Sequence, residues 1–162
     1  MPEMKKYVEI EDAIINHFDS DAKAAALEFA AYLKDKYNVK ESTEANCWQV
    51  SFNNKNICKI WLDSGKVSIS FFLSYFHADY NGDFDADFVT AVIKKIQYCY
   101  VCHDGCTGSF NVPILGRELE NVCSQHTINF TSFDKESIEQ MKMLIKYCEQ
   151  TEPNDISYHV HH

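Results

Sequence analysis

The sequence is poor in the features that mark whole classes of protein. None of its apolar runs reaches the roughly 20 residues needed to cross a bilayer as a helix. Basic residues come no closer together than the pairs Lys5-Lys6 and Lys94-Lys95. With a formal net charge of -9, the chain repels phosphate backbones and anionic membrane surfaces, which argues against nucleic-acid and membrane partners. Glycine and proline are scarce, at five and three of 162 residues, and no repeat or low-complexity linker interrupts the chain. This predicts a single domain over residues 1–152, followed by a flexible tail over 153–162.

The first residues, MPEMKKYVEIEDAIINHFD, carry acids throughout and lack the apolar centre of a secretory signal. The expectation is a cytoplasmic protein. In that compartment seven cysteines act as thiols or metal ligands, not as a disulfide framework.

The hydrophobic pattern changes period along the chain. Residues 8–18 place Ile10, Ile14 and Phe18 on one helical face. A second helix is capped by Ser20 or Asp21, shows Leu27, Phe29, Ala30, Ala31 and Leu33, and stops at Asn38. From Cys47 the period is two. CWQVSF sets Trp48, Val50 and Phe52 against Cys47, Gln49 and Ser51. Asn53, Asn54, Lys55 and Asn56 form a turn because asparagine tolerates positive φ.

ICKIWL is the next strand, and VSISFFLSYF alternates Val67, Ile69, Phe71 and Leu73 against Ser68, Ser70, Phe72 and Ser74. Asp83 or Asp85 opens a third helix with Phe84, Phe88, Val92 and Ile96 on one stripe. NVPILGRELENVC is extended with a turn near Gly116, and HTINFTSF is a further strand. Asp134 caps a last helix facing inward with Ile138, Met141, Ile145 and Cys148. The order predicts an α+β fold: a three-strand antiparallel meander plus one or two later strands, with helices on one face.

One stretch concentrates chemistry. YCYVCHDGC and the later CSQH supply Cys99, Cys102, His103, Cys106, Cys123 and His126. Cys99-x-x-Cys102 is the spacing of a zinc knuckle, where two thiolates on a tight turn bind one ion. Cys123-x-x-His126 would complete four ligands, provided the chain bends there, since residues three apart on a strand face opposite ways. The same cysteines also suit plain burial as small hydrophobes, the reading that fits Cys47, Cys58 and Cys148. A third reading is thiol chemistry by Cys102 beside His103. Its setting after a helix C-terminus is unfavourable to a thiolate, and no oxyanion hole or orienting group accompanies it. Catalysis is therefore not the expectation.

Three other features carry bland readings. His77, Asp79 and Asp83 in HADYNGDFDAD lack the ordered ligands of a calcium loop and read as a solvated loop before a capped helix. His17 reads as an ordinary helix residue, and the tail histidines His159, His161 and His162 stand apart from the site. The aromatics Trp48, Trp61, Phe72, Tyr75 and Phe76 would line a small-molecule pocket above the sheet, or serve as cross-strand pairs within it.

The meander from Trp48 to Leu73 and the closing stretch from Phe133 to Tyr147 resemble the small uncharacterised bacterial α+β domains of the YdhG/YjbR-like kind. The later half is similar to a cysteine-bearing group of hypothetical proteins with a G-x-x-(F/L)-x-N-V-C segment, matched by Gly116, Leu119, Asn121, Val122 and Cys123. The resemblance implies the fold and brings no activity with it. The functional expectation is a cytoplasmic binding or regulatory module for a small molecule or protein, stabilised by zinc at the Cys/His cluster. The alternatives are a small-molecule-binding domain with an aromatic pocket, and a thiol-dependent enzyme or redox sensor.

Overall fold

The computed structural model describes residues 9–18, 20–43, 46–63, 66–72, 75–76, 82, 84–97, 110–122 and 127–152. The elements run α1 (Ile10–His17), α2 (Ser20–Lys36), β1 (Asn38–Glu41), β2 (Cys47–Phe52), β3 (Lys55–Asp63), β4 (Lys66–Phe72), α3 (Ala86–Ile93), β5 (Ile96–Gln97), β6 (Phe110–Ile114), β7 (Arg117–Val122), β8 (Thr127–Phe130) and α4 (Lys135–Gln150). The fold is α+β with an antiparallel sheet. The chain forms two compact units, Met1–Ile69 with Thr131–Ile138, and Ser70–Phe130 with Glu139–His162.

In the first unit the strand order is β1-β2-β3-β4. α1 buries Ile10, Ala13 and Ile14, the stripe its period predicts. Phe18 ends it with its ring edge-on to Phe133 at 6.1 Å, and Phe133 in turn lies 5.8 Å from Phe29 of α2. α2 buries Ala26, Phe29, Ala30 and Leu33, an i, i+3, i+4, i+7 stripe. The buried face is thus turned from the expected one: Ala31 is exposed and Leu27 half-buried. Both Ser20 and Asp21 lie inside the helix rather than ahead of it, and it ends at Lys36, before Asn38. Lys34 Nζ binds the carboxylates of Glu9 and Glu11, the latter at 2.9 Å, joining the start of α1 to α2. The hydrogen bonds it donates to Glu9 and then to Glu11 hold this ammonium above its ordinary pKa. An exposed pair of this kind is worth at most about 1 kcal/mol.

β1 has no counterpart in the sequence reading. Its burial alternates between exposed and half-buried, so its four residues carry no apolar signal. It pairs antiparallel with β2, and α1 and α2 both lie against it. The β2–β3 turn is tighter than its four polar residues suggest. Asn53 and Asn54 have φ of 49° and 65°, the two left-handed positions of a two-residue hairpin, while Lys55 and Asn56 already belong to β3. A register shift then leaves Ile57 without a β2 partner, since Val50 pairs Cys58 and Ser51 pairs Asn56. This bulge explains why two successive residues, Ile57 and Cys58, are both fully buried.

In the second unit the order is β4-β8-β5, with β6-β7 a separate ladder. Its core is aromatic. Phe71 meets Phe130 edge-on at 5.8 Å and Phe76 at 6.5 Å. Phe76 stacks on Tyr147 of α4 at 5.6 Å, and Phe84 lies 4.5 Å from Phe88 and 5.4 Å from Tyr147. Each such pair adds about 0.5–1.5 kcal/mol beyond simple burial. The strand expected to run on through Tyr75 and Phe76 stops at Phe72, and those two residues form a buried turn.

Asp85 caps α3, its carboxylate accepting the Phe88 amide at 2.8 Å; Asp134 does the same for α4 in the first unit, accepting Ser137 N–H at 2.7 Å. Past Ile145 and Cys148, α4 also buries Met141, Leu144 and Gln140. Ile138, expected on this face, is half-buried. Ile96, expected on the α3 stripe, belongs instead to β5. The turn near Gly116 is a β6–β7 hairpin with positive φ at Leu115 and Gly116, 50° and 78°. Leu115 is buried, and its amide donates to the Phe76 carbonyl at 3.0 Å.

Candidate functional site

Cys99, Cys102, His103, Cys106, Cys123 and His126 all lie outside the described residues. The strands that lead into and out of these stretches are described, and they pair. Gln97 of β5 is the partner of Thr127 of β8, and Phe110 of β6 is the partner of Val122 of β7. The stretch carrying Cys99 to Cys106 therefore starts from Gln97 and returns at Phe110. The stretch carrying Cys123 and His126 starts from Val122, opposite Phe110, and returns at Thr127, opposite Gln97.

The remaining cysteines are inert. Cys47, Cys58 and Cys148 are buried and outside any disulfide. Burial pushes the Cys58 thiol well above the ordinary thiol range, so it stays protonated and behaves as a small hydrophobe. Among the described residues no group of three or more His, Cys, Asp and Glu side chains is arranged to hold a metal ion. His77, Asp79, Asp83 and the tail histidines lie outside the described residues, while Asp85 is occupied as the α3 cap.

The five aromatic candidates divide. Trp48, Tyr75 and Phe76 are buried; Trp61 and Phe72 are half-buried. Trp48 pairs with Ile60, and Trp61 pairs with Cys47, so the two indoles sit on opposite faces of the β2–β3 ladder. Phe72 follows Phe71 in β4 and points to the face opposite the aromatic core. Trp48, Tyr75 and Phe76 fill core space, and of the five Trp61 and Phe72 are the two that keep partial exposure.

The pairing also assembles a row that sequence reasoning passed over. Lys40, Gln49 and Lys59 are successive cross-strand partners on β1, β2 and β3. Trp61 lies on the same face two residues beyond Lys59, and Lys59 Nζ stands 5.9 Å from its ring centroid. The opposite face carries Val39, Val50 and Cys58 in one row and Glu41, Trp48 and Ile60 in the next. The polar half of the CWQVSF alternation was the available signal, but Lys40 enters only through the unforeseen β1. In the second unit, Asn129 Oδ1 accepts hydroxyl bonds from Ser70 at 2.5 Å and Thr127 at 3.2 Å.

No helix among the described residues is long and apolar enough to cross a membrane. Neither a family model, nor a curated protein, nor a solved structure matches the chain.

Proposed function

We propose that the protein is a binding or regulatory module in which Cys99, Cys102, Cys106, Cys123, His103 and His126 provide the ligands of a structural zinc ion. The observation that supports this reading is the double pairing of Gln97 with Thr127 and of Phe110 with Val122. Cys123 directly follows Val122, His126 directly precedes Thr127, and Cys99 is two residues past Gln97. At no more than about 3.6 Å per residue, these ligands cannot stray far from paired strand ends. A zinc ion bound by four of the six would close both connections at once and supply folding energy there.

The test is thermal unfolding with and without a chelator. A melting temperature that falls on chelation and returns with zinc supports the proposal. An unchanged melt, with all seven thiols titrating only on unfolding, overturns it. Rapid reaction of a thiol among Cys99, Cys102 and Cys106 in the native, metal-free protein would instead favour thiol chemistry. A small molecule on the half-exposed Trp61 or Phe72 is the second binding reading, supported by the ring surface these two leave uncovered.

A further inference from the structure

We infer that the outer edge of β7 takes up an extended, basic segment of a partner protein as a third, antiparallel strand beside the β6–β7 ladder. The residues that carry this inference all lie in the second unit, and none is among the proposed zinc ligands.

The two edges of the ladder differ. In an antiparallel pair, residues alternate between those that exchange both backbone bonds and those that exchange none. The two-residue turn at Leu115 and Gly116 makes Ile114 and Arg117 a bonded pair, so Pro113 and Glu118 are an unbonded one. Pro113 fits that phase, since its missing N–H is not one the ladder needs. It also leaves the outer edge of β6 without a donor at that place, and the nearby Leu115 amide is already given to the Phe76 carbonyl at 3.0 Å. On β7 the same phase turns the N–H and C=O of Glu118 away from β6. Glu120 follows the bonded pair of Val112 and Leu119 and continues the alternation, at the point where the register shifts. Among the described residues no strand pairs with β7 on that side.

The side chains select the occupant. From Arg117 to Glu120 the strand alternates between half-buried and exposed. Arg117 donates to the Ala86 carbonyl at 3.0 Å, which ties the half-buried face to the start of α3. Glu118 and Glu120 stand together on the exposed face, about 7 Å apart along the strand. Among the described residues neither is in an ion pair. A second copy of this chain, itself at -9, would set glutamates against glutamates if it paired through the same edge. A partner strand with Lys or Arg at alternate residues sets one cation opposite each acid and bonds to the backbone of both. Its intervening residues lie on the side of Leu119, which is half-buried, and are apolar.

The experiment uses the full chain and a fluorescein-labelled peptide of alternating Lys and Val, followed by anisotropy. The expected result is saturable binding, weakened about tenfold by Glu118→Lys and by Glu120→Lys. Both residues are exposed, so their substitution leaves the core intact. Glu28→Lys makes the same charge change at an exposed position of α2 and is expected to leave affinity within about twofold. Two methylated peptides separate strand addition from plain charge attraction. N-methylation of the lysines removes the N–H groups that face β7 and should weaken binding about tenfold or more, while N-methylation of the valines should change it less than about twofold. Absence of saturable binding, equal weakening by Glu28→Lys, or equal affinity of the two methylated peptides would each overturn the inference.

Discussion

Gln97 and Thr127 are direct partners across the β5–β8 ladder, at the point where the chain leaves toward Cys99 and where it returns from His126. A two-residue strand such as β5 has little stability of its own. Its backbone is also held through Lys95, whose carbonyl accepts the Asn129 amide at 2.9 Å, and Lys95 Nζ lies 5.2 Å from the Phe130 ring centroid. The short pairing gains most from a cross-link just beyond it, which is the position of the proposed zinc ligands.

Asp85 is expected to stabilise α3 through its cap. Replacing it with Ala removes the acceptor for the Phe88 amide and should cost about 1 kcal/mol in urea unfolding, while Asn should keep most of the effect. Equal losses for both substitutions would mean that charge at the helix start matters more than the hydrogen bond.

The Asn53 and Asn54 turn is open to improvement. Asn54 sits at φ 65°, a conformation that glycine adopts without a Cβ penalty and that the second place of such a hairpin favours. Asn54→Gly should raise stability by about 0.5 kcal/mol. Asn54→Val should lower it by at least about 1 kcal/mol, since a β-branched residue resists positive φ. Thermal melts of the two variants should therefore shift in opposite directions.

Cys58 makes stability depend on alkaline pH. Its thiol is neutral when protonated, and burial raises its folded pKa. The unfolded chain, with a thiol pKa near about 8.5, releases the proton first as pH rises. The stabilisation is complete below that value and is lost as pH climbs toward the folded value, at about 1.4 kcal/mol per pH unit. Cys58→Ala should be less stable at pH 7 because it leaves a small void, and its stability should fall less steeply above pH 9. Parallel pH profiles for the two proteins would contradict this assignment.

Much of the fold was legible where one period dominates. Trp48, Val50, Val67, Ile69 and Phe71 are buried as their alternation predicts, and Asp85 and Asp134 cap the helices that follow them. Legibility failed where tertiary context decides. β1 has almost no apolar content, so only its partner β2 makes it a strand. The Ile57 bulge breaks the alternation in β3, and Phe76 turns inward because Phe71 and Tyr147 wait there as partners in space, not in sequence. Of the candidate sites, the aromatic set was visible as composition. Sequence alone gave no way to see that Trp48 and Trp61 fall on opposite faces, since that depends on the pairing of Cys47 with Trp61.

Metal content decides whether the connections beyond Gln97 and Val122 hold the proposed zinc. Protein purified without added metal and freed of the tail histidines should carry one zinc per chain by mass spectrometry. Cys102→Ser and Cys123→Ser should each lose it and melt at lower temperature. A metal-free protein, with Cys102→Ser within about 1 kcal/mol of the parent, would contradict the zinc site.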